Sequence, residues 1–127
     1  MDCKNSDEKE NTAFKDCFDK AMAGDAKAQY HLALYYKDGE SVDKNYKCAL
    51  SWLQKSANQD FAEAQYELAM CYTFGQGTEA DLKKAFFWTQ KAASLGYKPA
   101  KEHLISCYKD GLGVEKDPFK VLDLLDE

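Results

Sequence analysis

Ala64-Gln65-Tyr66-Glu67-Leu68-Ala69-Met70-Cys71-Tyr72-Thr73-Phe74-Gly75-Gln76-Gly77 is the stretch whose reading decides the fold. Ala64, Leu68, Ala69 and Tyr72 stand at i, i+4, i+5 and i+8, one stripe of an α-helix. Gly75 is the residue type that commonly ends a helix. Shifted by 36 residues in either direction, the stretch meets itself. Ala28, Ala64 and Ala100 coincide, as do Leu32, Leu68 and Leu104. So do Tyr36, Tyr72 and Tyr108, and Gly39, Gly75 and Gly111. Between two of the units, Lys47 matches Lys83, Ala49 matches Ala85, Trp52 matches Trp88 and Ala57 matches Ala93, with no gap needed. Self-similarity of this length marks a stacked repeat.

Each unit reads as two helices. The first, from about Ala26 to Lys37 in the first unit, ends at Gly39. After a short turn, Asn45, Asp81 or Asp117 is placed as N-cap of the second helix, and Pro118 fits a first helical position. Ala49, Trp52, Leu53 and Ala57 form the stripe of that second helix, which closes near Asp60 and, in the middle unit, near Gly96. Alanines at fixed positions allow close helix approach, and Trp52, Trp88 and the tyrosines fill the space between pairs. One helix pair cannot bury its own apolar face, so pairs stack. The register runs backwards through Ala13, Phe14, Cys17, Ala21 and Gly24. A lone second-type helix over about 8–23, capped by Ser6 or Asp7, therefore covers the front of the stack. At the rear, Pro118 to Glu127 is a shortened second helix with Val121, Leu122, Leu124 and Leu125. The expected architecture is all-α, a right-handed α-α superhelix of three helix-turn-helix repeats. Its segments are residues 1–24 (tail and capping helix), 25–60, 61–96 and 97–127.

Composition narrows the function. The chain has 127 residues, a formal net charge of −5, 45% hydrophobic and 31% charged residues. It suffices for one domain. The negative charge disfavours nucleic acid and anionic lipid. The apolar run around Leu68–Tyr72 is broken by Gly75, Gln76 and Gly77, so no membrane insertion is expected. The segment Met1 to Glu8 has no apolar core of a signal peptide. A cytoplasmic protein is expected, or a periplasmic or secreted one if a leader has been removed. The five cysteines, Cys3, Cys17, Cys48, Cys71 and Cys107, form no CxxC pair and have no His at ligand spacing. Buried reduced thiols are expected, and no metal or other cofactor. His31 and His103 occupy equivalent first-helix positions, with Glu67 between them in register, and read as solvated side chains. There is no nucleophile elbow, phosphate loop or HExxH. Gly75-Gln76-Gly77 and Gly111-Leu112-Gly113 follow helices, so they read as turns rather than dinucleotide sites. No catalytic residue is assigned and the chain is not expected to be an enzyme.

The pattern Ala-x-x-x-Leu-Ala-x-x-Tyr-x-x-Gly-x-Gly, continued by Lys83-Lys84-Ala85-Phe86-Phe87-Trp88, Lys91-Ala92-Ala93 and Gly111-Leu112-Gly113-Val114-Glu115-Lys116-Asp117, resembles the Sel-one-like repeat over about residues 26–127. That family is an α-solenoid relative of the tetratricopeptide repeat. The first unit departs from it with Ser41 where a second glycine is usual, so a stiffer or differently shaped turn is expected there. The resemblance implies a protein-binding scaffold or adaptor rather than a catalyst. Some small bacterial members resemble immunity proteins that neutralise a toxin, the alternative function. A secreted, disulfide-rich branch linked with penicillin binding is a remote third.

First helices of such stacks line the concave side. The positions turned away from the packing stripe are Lys27, Tyr30, Leu34 and Lys37 in the first unit. In the second they are Glu63, Tyr66, Met70 and Thr73, and in the third Glu102, Ser106 and Lys109. These are the expected partner-binding residues. Tyr30, Leu34, Tyr66 and Met70 are the most informative, because large apolar and aromatic side chains on an open face mark interaction sites. Acidic charge favours a basic protein partner. The apolar rear helix adds self-association through Leu122 and Leu125 as an expectation.

Overall fold

The computed structural model describes residues 12–127, so the expected caps at Ser6 or Asp7, and Cys3, lie outside the described residues. The described residues form seven helices and no strand: α1 (Thr12–Met22), α2 (Ala26–Asp38), α3 (Tyr46–Ala57), α4 (Ala62–Phe74), α5 (Leu82–Ser94), α6 (Lys98–Asp110) and α7 (Pro118–Leu125). Each packs chiefly on its neighbours in sequence, the arrangement of an α-solenoid.

The helix ends follow from local chemistry. Asn45, Asp81 and Asp117 cap α3, α5 and α7 with side-chain oxygens that accept first-turn backbone N–H groups. Gly39, Gly75 and Gly111 stop α2, α4 and α6 in the left-handed conformation. Asp60 and Gly96 adopt positive φ after the second helices. The turn at Ser41 is not differently shaped: its φ of 70° sits beside 80° at Gly77 and 76° at Gly113. At Gly77 and Gly113 the preceding unit leaves no room for a side chain. A Cβ on Gly77 would lie 2.5 Å from the Tyr46 carbonyl oxygen, at the start of α3, and one on Gly113 would meet the equivalent Leu82 oxygen. The second glycine of the two later turns thus lets each loop press on the backbone of the unit before it.

The core is strung along the stack. Leu32, Ala33, Leu53, Ala57, Leu68, Ala69, Ala92 and Ala100 are fully or almost fully buried. Buried glutamines join the units: Gln29 donates to the Ala21 carbonyl and Gln65 to the Ala57 carbonyl, each at 3.1 Å. Both tie a first helix to the end of the helix before it. The Ser56 hydroxyl does the converse, donating to the Ala26 carbonyl at 2.7 Å. No residue of α7 is buried, and Phe119, Leu122 and Leu125 are largely exposed. Among the described residues, no helix is long and apolar enough to cross a membrane.

Cys17, Cys71 and Cys107 are free thiols, the last two buried. Cys48 departs from the expectation of reduced thiols throughout, being disulfide-bonded.

Candidate functional site

None of the expected partner-binding residues is buried in the packing core. Lys27, Glu102 and Lys109 are exposed, and Tyr30, Leu34, Lys37, Glu63, Tyr66, Met70, Thr73 and Ser106 are half-buried. They do not form one uniform strip. Lys27 and Leu34 line a hollow of about 540 Å³ between α1 and α2, with Asp16, Cys17 and His31. Glu102 lines a second hollow, of about 620 Å³, against α7, with Lys101, Ile105 and Leu125. The Thr73 hydroxyl is turned back onto its own helix, donating to the Ala69 carbonyl at 2.9 Å.

The densest gathering lies where α2, α4 and the start of α6 meet. The Tyr30 ring packs on Phe61, centroids 5.4 Å apart, and Tyr66 packs on Tyr97 at 5.5 Å. Phe61 and Tyr97 are the N-cap residues of α4 and α6 and make no side-chain cap bond. Their rings reach back to the preceding first helix instead, and this contact recurs one unit later. Lys37 donates to Glu67 Oε1 at 3.1 Å, tying α2 to α4. Phe61, Glu67 and Tyr97 are thus site residues that the helical stripe alone does not reveal. The signal for Phe61 and Tyr97 was the matching aromatic 36 residues apart, just ahead of two first helices.

The electrostatics show how closely these groups converge. Burial pushes the Tyr30 phenol up to about 12, helped by the carboxylates of Glu67 and Glu63 and by Tyr97. Tyr97 is raised by burial and by the same Glu63 and Glu67. Two phenols, one from α2 and one from the start of α6, therefore feel the same two carboxylates on α4 between them. Lys37 is raised, because its hydrogen bond to Glu67 and the nearby negative charge outweigh its burial. The arrangement gathers aromatic rings and carboxylates on one face of α2, α4 and the start of α6. His31 is exposed, its ring 5.3 Å from that of Tyr30, whereas His103, away from this cluster, is half-buried, and desolvation holds its imidazole below the usual value. Among the described residues, no group of three His, Cys, Asp or Glu side chains is gathered as a metal would require.

Comparison with known proteins accords with the repeat fold. The Sel1 repeat profile matches residues 26–61, 62–97 and 106–120. No curated protein matches the chain significantly. Among solved structures, c5321, a protective antigen present in uropathogenic Escherichia coli strains and displaying an SLR fold, superposes with a TM-score of 0.85. It is 32% identical over 90% of this chain and 24% of its own. A Sel1 repeat protein from Oxalobacter formigenes superposes at 0.82, with 33% identity over 88% of this chain and 46% of its own. The chain thus spans a quarter to a half of the length of these neighbours. With three matched segments along a helical solenoid, the chain belongs to the Sel1 repeat family.

Proposed function

We propose that the chain is a protein-interaction scaffold that holds a partner protein on its first-helix face, without catalysis of its own. The observation that carries this reading is the run of half-buried aromatic and aliphatic side chains on α2 and α4, Tyr30, Leu34, Tyr66 and Met70. Side chains of this type, held in place yet open to solvent, are those on which binding energy concentrates. Rigid neighbours such as Phe61 and Tyr97 hold Tyr30 and Tyr66 in position and lower the entropy lost on binding. The net charge of −5 favours a basic partner. Affinity capture from the source cell with the wild-type chain and with Tyr30→Ala/Tyr66→Ala tests the reading. The partner should be retained by the first and lost by the second, with helical content unchanged by circular dichroism. Equal capture by a folded double variant would refute this site.

Two further points rest on separate observations. Exposure of Leu122 and Leu125 supports self-association through α7, with 58% and 61% of each residue open to solvent. Light scattering at rising concentration should show it, and Leu122→Lys should remove it. The disulfide at Cys48 favours an oxidising compartment, periplasmic or extracellular, over the cytoplasm.

A further inference from the structure

We propose that the cluster of rings and carboxylates on α2, α4 and the start of α6 is a seat for an arginine or lysine side chain presented by a basic segment of the partner protein, with Glu63 as its counter-charge. This rests on the scaffold reading and names the chemistry of the partner at that face.

The first observation is a carboxylate without a mate. Glu67 is held by Lys37 at 3.1 Å, whereas Glu63, one turn earlier on the same helix, makes no ion pair or hydrogen bond among the described residues. Glu63 nevertheless lies close enough to Tyr30 and Tyr97 to raise both phenols. The second observation is that the Lys37–Glu67 pair shows a primary ammonium fitting against a carboxylate of α4, one turn from Glu63, between two units. The third concerns the rings. Lysines of the chain sit over the faces of Tyr46, Trp52, Tyr72 and Trp88 at 5.1–5.5 Å. Among the described residues none sits over Tyr30, Tyr66 or Tyr97. Tyr30 and Tyr97 lie near the unpaired carboxylate of Glu63, and together they offer a cation both quadrupole and charge. An arginine uses this best, because its plane stacks on a ring while its edge meets the carboxylate. An acidic or purely apolar segment would leave Glu63 desolvated without compensation.

The test is a titration by fluorescence anisotropy, with a labelled peptide of alternating arginine and glycine as the probe. Glu63→Gln keeps the shape of the side chain and should weaken binding about 3- to 10-fold, as expected for one partly desolvated charge contact. Lys37→Met removes the competing ammonium, frees Glu67 and should strengthen binding by roughly 2- to 5-fold. Asp123→Asn, on α7 away from the cluster, should change affinity less than about 2-fold, the residue of general charge attraction. Circular dichroism establishes that each variant is folded. Equal weakening by Glu63→Gln and Asp123→Asn would overturn the proposal, showing that only net charge attracts the peptide. A weakening by Lys37→Met, or no binding at all, would overturn it as well. The scaffold reading stands or falls separately. A partner captured through Tyr30 and Tyr66 but indifferent to Glu63→Gln would sink the cation seat alone.

Discussion

Gly77→Ala is the sharpest test of how the units are joined. Gly77 has a φ of 80°, and an added Cβ would fall 2.5 Å from the Tyr46 carbonyl oxygen and 2.9 Å from its carbon. Both atoms are backbone at the first turn of α3, so no side-chain rotation relieves the contact. Alanine in the left-handed region costs about 1 kcal/mol, and forced overpacking against a fixed neighbour adds about 1–3 kcal/mol. The expected loss is therefore about 2–4 kcal/mol of unfolding free energy, read from urea denaturation. Gly75→Ala is the control within the same turn. Its φ is 70°, but its nearest neighbour would be the Ala80 nitrogen at 3.4 Å, so only the conformational cost of about 1 kcal/mol remains. Gly113→Ala, pressed on Leu82 one unit later, should behave like Gly77→Ala. If Gly77→Ala cost no more than Gly75→Ala, the loop would not bear on the preceding unit and the account of the seam would fail.

Three other outcomes are expected. Thr89 is fully buried, and its hydroxyl has no hydrogen-bond partner among the described residues; Thr89→Val should be neutral or stabilise by up to about 1 kcal/mol in the same assay. His103 is held by burial below its ordinary 6.5, so the folded state resists protonation. Its contribution to stability is complete above pH 6.5 and is lost as pH falls through the lower folded value, and urea midpoints for His103→Gln should decline less steeply over that window. Burial pushes the Cys71 and Cys107 thiols up to about 11, so both should alkylate slowly in the native protein, while Cys48 should resist alkylation after unfolding until a reductant is added.

Much of the fold is legible in the sequence because its signals are local and repeated. Asn45, Asp81 and Asp117 cap helices by reaching two or three residues along the chain, and the left-handed stops at Gly39, Gly75 and Gly111 need no tertiary context. Ser41 shows where local reasoning misleads. Its departure from glycine points to a different turn, yet the backbone keeps the same left-handed form, whereas at Gly77 and Gly113 the added constraint comes from the unit in front. The site was legible only by half. Helical periodicity put Tyr30, Tyr66 and Glu63 on an open face, but it treats each helix alone. The contacts that gather these side chains, Tyr30 on Phe61, Tyr66 on Tyr97 and Lys37 with Glu67, all cross between units. They depend on stacking geometry, which a single stripe does not encode. The disulfide at Cys48 was invisible for a related reason, since spacing along the chain says nothing about which distant thiols approach.

Site-specific photocrosslinking tests the central claim most directly. A photoreactive residue placed at Met70, half-buried on the open side of α4, is compared with one at Lys83, exposed on α5. If the first-helix face holds the partner, Met70 yields a crosslinked complex and Lys83 does not. Crosslinking from Lys83 alone would place the partner on the other side of the stack and contradict the account.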